Sequence, residues 1–294
     1  MSSQPTLVYS LTSTPSEQNW RDLQGWIEKL GWEDVDRSMF DLVIGGTCEG
    51  NVSPVFAVDS EGNALGSAVA FSYPEINIAY VAHYVVREDC RGRGLGRKLW
   101  DEMMRRIPKG RILKIHSTND EGAPMTTKYR QGGVFTHPGL YWDVFGVDST
   151  VLLRALRPLA EASVEIQIRP ITEETRDHAL QFDKAVTKTG ACLGYGCLLP
   201  QPKKCFKLAP LLAKDAETGA VLTKHLVENV PQDSKIGLIF VENSAGQKEF
   251  QSRLEEQGCE RDLRMDTSYS EEYVEPIDLS QLFVGMAHVA YLEH

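Results

Sequence analysis

The chain has 294 residues, more than a single hydrophobic core usually serves, so its length favours two domains. A composition of 42% hydrophobic and 24% charged residues excludes a disordered or disulfide-dense class, and a net charge of -10 argues against a basic surface that binds nucleic acid. Since no run of about 18 apolar residues could span a bilayer and the N-terminus lacks a secretory signal, we expect a cytoplasmic protein without nucleic-acid or membrane partners.

The first half of the sequence alternates strands and helices in an order typical of a mixed α/β fold. Its first helix is indicated by Trp20, Leu23 and Ile27, which recur at helical spacing. The elements expected in chain order are a strand at 6–13, a helix at 16–32, a hairpin at 53–73, a central strand at 76–86, a helix at 95–107, a strand at 111–117, a weaker helix at 123–133 and a strand at 141–147.

The second half repeats this order in outline after a connecting segment at 147–163. Its expected elements are a strand at 164–172, a helix at 173–188, a strand at 204–213, a helix at 216–230, a strand at 235–243, a helix at 246–258 and a strand at 282–294. The pattern therefore predicts two similar α/β domains in tandem, covering residues 1–150 and 151–294.

A glycine-rich loop between the central strand and the next helix carries the chemistry of the first half. Its sequence is Arg91-Gly92-Arg93-Gly94-Leu95-Gly96. It lacks the Lys-Ser/Thr pair of a P-loop, and Arg97 stands where a dinucleotide fingerprint needs its third glycine. Alternate glycines let successive N–H groups converge at a helix N-terminus, where an anion is favoured. With added charge from Arg91, Arg93 and Arg97, the loop predicts a pyrophosphate site.

The segment "VVREDCRGRGLGRKLW" resembles the acetyl-CoA motif of the GCN5-related N-acetyltransferases, the GNAT superfamily. Arg91, Gly94 and Gly96 occupy the fixed positions of its (Q/R)xxGx(G/A) signature. The hairpin "EGNALGSAVAFSY" is similar to the one that precedes this motif, and "KYRQGGVF" is similar to the later tyrosine-glycine element, in which Tyr129 and Gly133 match. The resemblance implies two tandem domains, each a mixed, mostly antiparallel sheet flanked by helices, of which the first uses acetyl-CoA as acyl donor.

The resemblance also implies where the donor binds and how the acyl group moves. The pantetheine arm would pair with the backbones of Tyr84, Val85 and Val86, and the diphosphate would lie on the loop from Arg91 to Gly96, with Arg97 adding charge. The acyl group would pass directly to an amine, without a covalent enzyme intermediate and without a metal. Tyr129, at the family's tyrosine position, would protonate the departing sulfur.

The identity of the base that accepts the amine proton is not fixed, because Tyr80 stands where many relatives have a glutamate. His83 has a suitable intrinsic pKa and is the named candidate, with Glu75 and a water relay as alternatives. Strand alternation puts Tyr80, Ala82, Tyr84 and Val86 on one face and His83 on the other, unless a bulge changes the alternation.

The second domain is similar to the same family, but more weakly. Its counterpart of the glycine loop, "AKDAETGA", has no arginine and one glycine, and its late helix carries Leu254 in place of the tyrosine. We therefore expect a degenerate GNAT-like domain and one donor site per chain.

The sequence indicates the acceptor-binding residues less clearly than the donor-binding loop. Trp32, Asp34, Asp36 and Asp41 follow the first helix, where carboxylates would suit an ammonium group, and "TGACLGYGCLLP" around Tyr195 is a candidate loop over the cleft between the domains. His116, His137 and His225 have no visible partner and are assigned structural roles. The six cysteines include no CxxC pair and no histidine at zinc-ligand spacing, so we predict reduced thiols and no metal.

The sequence thus favours an acyl-CoA-dependent N-acyltransferase with a small amine or amino-acid-like acceptor bound between the domains. A protein lysine or N-terminus is an acceptor of the same class. The alternatives are a non-catalytic acyl-CoA-binding sensor or interaction module, and a nucleotide-binding regulator. The oligomeric state is not predicted.

Overall fold

The computed structural model describes residues 7–29, 51–118, 125–162, 166–172, 193–201, 204–274 and 278–284. Its strands are β1 (Ser10–Thr12), β2 (Val52–Val58), β3 (Ala64–Tyr73), β4 (Ile78–Val86), β5 (Ile112–Thr118), β6 (His137–Asp148), β7 (Gly194–Gln201), β8 (Cys205–Ala213), β9 (Lys235–Val241), β10 (Leu263–Tyr269) and β11 (Leu282–Val284). Its helices are α1 (Glu17–Lys29), α2 (Leu95–Arg106), α3 (Met125–Gln131), α4 (Ser149–Ala162), α5 (Ala216–Val227) and α6 (Ser252–Glu256), the last preceded by a π-helical turn at Gln247–Gln251.

All of these strands belong to one mixed sheet with helices on its faces. The strand order is β1-β2-β3-β4-β5-β10-β6-β9-β8-β11, and β7 pairs with β8. Two neighbouring pairs, β4 with β5 and β8 with β9, are parallel, and the other pairs are antiparallel. The predicted mixed, mostly antiparallel α/β sheet with flanking helices is confirmed.

Strand β10 connects the two halves of the chain. It comes from the last third of the sequence, yet it pairs with β5 on one edge and with β6 on the other. Strand β6 in turn pairs with β9 of the second half. The division at residues 150 and 151 stays a prediction, and it falls within helix α4.

The core lies on both faces of the sheet. On the face that we call the α2 side, Leu95, Leu99 and Met103 of α2 pack on Ala79 and Val81 of β4, and further along the sheet α4 and α5 cover a second cluster. On the opposite face, the α1 side, Trp20, Leu23 and Ile27 of α1 pack on Tyr80, Ala82 and Val85. The apolar spacing of each helix therefore determines which of its own faces packs on the sheet.

Two sequence predictions about the second half are wrong, and one strand was missed. The segment around Tyr195 forms strand β7 and is not a loop, because its backbone pairs with β8. Residues 166–172 have no regular structure where a strand was predicted. Strand β10 was not predicted. The predicted helix at 173–188 lies outside the described residues.

No helix in the described ranges is both long and apolar enough to cross a membrane.

Candidate functional site

The glycine-rich loop forms a tight turn at the N-terminus of α2. Gly92 and Gly94 have φ values of 72° and 78°, and Gly94 is the residue that caps α2. This left-handed backbone strains side-chain-bearing residues, which explains the glycines. A Cβ added at either position would meet no atom within 4 Å. The turn therefore leaves open space beside the start of α2, where an anion is favoured.

The three arginines of the loop differ in their contacts. Arg91 donates from Nε to the carbonyl oxygen of Val86 at 2.9 Å, which ties the loop to the end of β4. Arg97 pairs with Asp101 at 2.9 Å, and its side chain is 80% exposed. Arg93 is exposed as well. Arg91 thus shapes the turn, and Arg93 and Arg97 supply solvent-facing positive charge.

Strands β4 and β5 separate on the way to this loop. Their parallel register runs from Ile78 opposite Ile112 to Val81 opposite Ile115, although β4 continues to Val86. The other edge of β4 pairs with β3, and the other edge of β5 pairs with β10. A gap therefore opens between the two strands and leads from their junction at Val81 to the glycine turn.

At the end of β4, the backbone N–H and C=O groups of alternate residues point to β3 and into this gap. The amide of Arg87 donates to the carbonyl oxygen of Leu65 in β3. By antiparallel alternation, Val85 also exchanges hydrogen bonds with β3, opposite Ser67, whereas Val86 directs its N–H and C=O into the gap. Because Arg91 already binds the Val86 carbonyl, the Val86 N–H is the group left for a ligand.

A bulge in β4 corrects the predicted side-chain alternation. Ser67 pairs with Val85 and Val69 pairs with Ala82, so His83 and Tyr84 together stand opposite a single residue of β3. His83 has a φ of 48°, and its carbonyl oxygen accepts a 2.8 Å hydrogen bond from Ser67 Oγ. The extra residue inverts the faces that follow it.

Tyr84 and Val86 consequently lie on the α2 side, whereas Tyr80 and Ala82 lie on the α1 side. The ring of His83 contacts Phe71 of the α1-side cluster at 6.0 Å. The prediction that Tyr80, Ala82, Tyr84 and Val86 share one face is therefore wrong.

Aromatic side chains line the α2 side of the gap. Tyr84 contacts Trp100 of α2 with ring centroids 5.5 Å apart, and Trp100 stacks on Tyr129 of α3 at 6.1 Å. A Cβ added to Gly96 would lie 2.6 Å from the Tyr84 hydroxyl, so this glycine makes room for the tyrosine. Burial, and secondarily the nearby Tyr84, raise the pKa of Tyr129 to about 12. Tyr129 therefore keeps its proton at neutral pH.

Two histidines lie on the α1 side, near the junction of β4 and β5. His83 is 5% exposed, and burial lowers its pKa to about 4. His116 is the β5 residue next to the last paired position, and its ring lies 5.1 Å from Tyr80 and 4.6 Å from Trp142. The sequence shows no partner for His116 and therefore predicts a structural role. The contact with Trp142 arises only in the folded sheet, where β10 lies between β5 and β6.

The low pKa of His83 predicts a pH dependence of stability. Its pKa of about 4 in the folded protein lies below the ordinary histidine pKa of about 6.5, so the unfolded chain binds the proton more readily between these pH values. The contribution of neutral His83 to the free energy of unfolding is therefore present in full above pH 6.5 and is lost as the pH falls. The free energy of unfolding should decrease by about 2 kcal/mol between pH 7 and pH 5.

Urea unfolding at both pH values measures this change, with His83→Asn as the control. Asparagine tolerates the positive φ and does not titrate in this range, so the variant should lose less stability on acidification. Equal losses in the two proteins would contradict the assignment.

The candidate acceptor residues are only partly covered by the structure. Trp32, Asp34, Asp36 and Asp41 lie outside the described residues. The sequence did not single out Trp142 or Thr267, which β6 and β10 bring near His116. Trp142 Nε1 and Thr267 Oγ1 are buried without a hydrogen-bond partner in the described part of the chain. No local pattern identifies them, since they come from strands that are distant in sequence.

Comparison with known proteins gives a consistent picture. Residues 14–128 match the sequence profile of the acetyltransferase (GNAT) family. A tandem GNAT protein from the clavulanic acid biosynthesis pathway is structurally similar, with a TM-score of 0.60 and 14% identity over 91% of this chain and 100% of that one. A Pyrococcus horikoshii protein assigned as an acetyltransferase has a TM-score of 0.58 and 13% identity, covering 95% and 94% of the two chains.

A GCN5-related N-acetyltransferase from Sphaerobacter thermophilus is also similar, with a TM-score of 0.53 and 12% identity over 90% and 97% of the chains. The comparison with curated proteins finds no match. The sequence match covers the half that carries the glycine turn, and the structural matches extend the fold over most of the chain.

Proposed function

We propose, on the premise that residues 14–128 match the GNAT family of acetyltransferases, that the chain transfers an acetyl group from acetyl-CoA to a small amine or amino-acid-like acceptor. The observation that carries the proposal is the gap between β4 and β5, which ends at the open glycine turn of α2. A long ligand with an anionic end fits this combination. A pantetheine arm would lie in the gap and the pyrophosphate would lie at the helix start.

Specific backbone and side-chain groups would hold acetyl-CoA in this arrangement. The Val86 N–H faces the gap, and Tyr84 places its ring on the α2 side of β4. The N–H groups from Gly92 to Gly96 would bind the pyrophosphate, with Arg93 and Arg97 adding positive charge. Val85 would contribute through its buried side chain, because its backbone pairs with β3.

The reaction would be a direct acyl transfer. The amine nitrogen forms a bond to the thioester carbonyl carbon, and the carbon–sulfur bond breaks. The amine loses one proton, and the departing sulfur gains one from solvent or from a protein group. An alkylammonium has a pKa of about 10, so it must be deprotonated before attack.

We assign Tyr129 to the departing sulfur. Its pKa of about 12 exceeds the pKa of about 8.5 that is typical of a thiol, so complete transfer of the phenol proton to a thiolate is unfavourable. The hydroxyl would instead donate a hydrogen bond to the sulfur as negative charge develops, and solvent would then protonate the thiolate. Such charge-assisted hydrogen bonds contribute roughly 1.5 to 3 kcal/mol.

Replacing Tyr129 with phenylalanine is expected to lower kcat by roughly 10- to 100-fold, because this hydrogen bond is strongest in the transition state. The Kd for acetyl-CoA should change little, since the ring keeps its packing on Trp100. Steady-state kinetics and titration calorimetry measure the two quantities. Tyr141→Phe is the matched control, because it removes a hydroxyl that is bonded to Gln247 in the second half. An unchanged kcat in Tyr129→Phe would remove Tyr129 from the mechanism.

The acceptor would approach from the α1 side. Helices α2 and α3 cover the other side of the gap with apolar and aromatic residues. The α1 side has His83 and His116 near the strand junction, and His83, as a neutral imidazole, can accept a proton. Its low pKa makes it a weak base toward an ammonium, so the alternative of a water relay that releases the proton to bulk solvent is the better-matched route.

The α1 side also combines residues from both halves of the chain. The Trp142 N–H and the Thr267 hydroxyl supply polar groups near His116, and Thr267 lies on β10. These groups support an acceptor that carries a hydrogen-bonding group besides its amine, bound where the halves meet.

A panel of amines tests the function. Purified protein with acetyl-CoA should release free CoA in the presence of an acceptor, and mass spectrometry should detect an acetylated amine. Primary metabolite amines, amino acids and peptides with free N-termini or lysines separate the acceptor classes. Binding of acetyl-CoA without turnover of any amine would favour a sensor module. Thermal stabilisation by ATP or NAD but not by CoA would favour a nucleotide-binding regulator.

A further inference from the structure

The second half of the sheet contains a counterpart of the gap between β4 and β5. Strands β8 and β9 are the second parallel pair, and their register covers only Cys205 opposite Lys235 to Lys207 opposite Gly237. Strand β8 continues to Ala213, and helix α5 follows it, as α2 follows β4. The two halves therefore share the same local arrangement of diverging parallel strands beside a helix start.

Strand β11 lies in this second gap. Strand β7 pairs along one edge of β8, from Cys205 to Ala213, so β9 and β11 must share the other edge. Strand β11 pairs antiparallel with Leu211 and Leu212, beyond the point where β9 leaves β8. The Ala213 amide also donates to the carbonyl oxygen of Gln281 at 3.0 Å. The chain thus supplies its own hydrogen-bonding partner to the end of β8.

Phe283 fills the space between α5 and the π-helical turn that precedes α6. Its ring would lie 3.2 Å from a Cβ on Gly219, in the first turn of α5, and it contacts the Phe250 ring at 5.0 Å. A Cβ on Gly246 would overlap the Phe283 carbonyl group. Phe283 is 1% exposed, so the segment is packed as core and not laid on the surface.

The start of α5 is also closed to an anion. The Asp215 carboxylate caps this helix by accepting hydrogen bonds from the Thr218 amide at 2.9 Å and from the Thr218 hydroxyl at 2.6 Å. A carboxylate thus occupies the position at which a phosphate would bind, and it would repel a second anion.

We propose that residues 279–284 are a built-in occupant of a second pantetheine-type slot, which they close to acyl-CoA. The proposal rests on the proposed function only for the identity of the ligand. It adds a cause to the expected loss of the second donor site: a strand of the chain pairs with β8 at the position where, in the first half, a pantetheine arm would pair with β4. Displacing this strand should uncover a slot that accepts pantetheine, which lacks the pyrophosphate that Asp215 repels.

Gly246→Ala is the variant that displaces the strand. Gly246 has a φ of -61° and a ψ of -41°, which alanine adopts readily, so the added methyl group acts through its overlap with Phe283. Gly25→Ala in α1 is the matched control, because a Cβ there meets no atom within 4 Å. Both proteins are measured as full chains by hydrogen exchange and by titration with pantetheine.

The wild type and Gly25→Ala should bind one pantetheine per chain, and Gly246→Ala should bind two. In Gly246→Ala, exchange of the Ala213 amide, which donates to the Gln281 carbonyl oxygen in the wild type, should accelerate at least tenfold, and added pantetheine should slow it again. Two pantetheine molecules bound to the wild type would overturn the proposal, as would one bound to a Gly246→Ala protein with rapid exchange at Ala213. Unchanged exchange in Gly246→Ala would also overturn it.

The wild type alone decides the question if Gly246→Ala does not fold. Its Ala213 amide should be protected without ligand and gain no protection with pantetheine, whereas residues 82–86 of β4 should gain protection. A gain at Ala213 would overturn the built-in occupant. Failure of residues 82–86 to gain protection would instead count against the proposed function, so the two failures are distinguishable.

Discussion

Replacing Gly94 with aspartate is expected to abolish acetyl-CoA binding. The new carboxylate would stand at the start of α2, in the open space that we propose for the pyrophosphate. Two like charges about 4 Å apart repel by about 4 kcal/mol at an effective dielectric constant of 20, which corresponds to roughly a thousandfold loss of affinity. Titration calorimetry with acetyl-CoA measures the Kd, and turnover should be lost with binding.

Backbone strain at Gly94 must be separated from charge repulsion. Gly62, in the hairpin between β2 and β3, has a φ of 86° and, like Gly94, no atom within 4 Å of an added Cβ. Gly62→Asp therefore introduces the same residue with the same type of strain, about 1 to 2 kcal/mol, away from the site. It should lower the melting temperature but leave the Kd unchanged. A Kd of Gly94→Asp for acetyl-CoA within tenfold of the wild-type Kd would contradict the pyrophosphate assignment.

Replacing Asp143 with alanine is expected to give the largest loss of stability. Asp143 lies on β6, and its carboxylate is completely buried. Arg264 of β10 binds it in a bidentate manner at 2.7 Å and 2.8 Å, and Arg261 and Gln251 add contacts at 3.2 Å and 3.3 Å. The pKa of Arg264 is raised by its hydrogen bond to Asp143. The network therefore holds β10 against β6, where the two halves share the sheet.

Removal of one partner from a buried ion pair typically costs 3 to 5 kcal/mol, and the partial exposure of the two arginines places the expected loss near the lower end, at about 3 kcal/mol. Urea unfolding followed by circular dichroism measures the change in the free energy of unfolding. Asp101→Ala is the control, because Asp101 forms a 2.9 Å pair with Arg97 on the surface, where such pairs contribute less than about 1 kcal/mol. Equal effects of the two substitutions would contradict a structural role for the Asp143 network.

The local features of the candidate site could be predicted from the sequence. The start of α2 and the need for glycine at positions 92 and 94 depend on residues within one turn of the chain, because positive φ values and helix starts are local properties. The apolar spacing of Leu95, Leu99 and Met103 likewise defines the buried face of α2. The lack of an arginine-glycine loop before α5 was visible in the same way.

The features that alternation alone could not predict arise where strands meet. The bulge at His83 adds one residue opposite β3 and sends Tyr84 and Val86 to the face opposite the predicted one. A period-two pattern is reversed by a single inserted residue, and the sequence of one strand does not reveal where its partner leaves the register. For the same reason, the sequence did not reveal the contact between His116 and Trp142, whose rings meet across β10.

The sequence by itself determined the glycine turn at Arg91 to Gly96, the helix that follows it and the mixed α/β order, since each depends on neighbours along the chain. Only the tertiary structure decided that β10 enters the sheet between β5 and β6, and that residues 282–284 lie in the second gap. Strand order is set by hydrogen bonds and burial between segments far apart in sequence, and many segments could satisfy the same edge until the whole sheet is assembled.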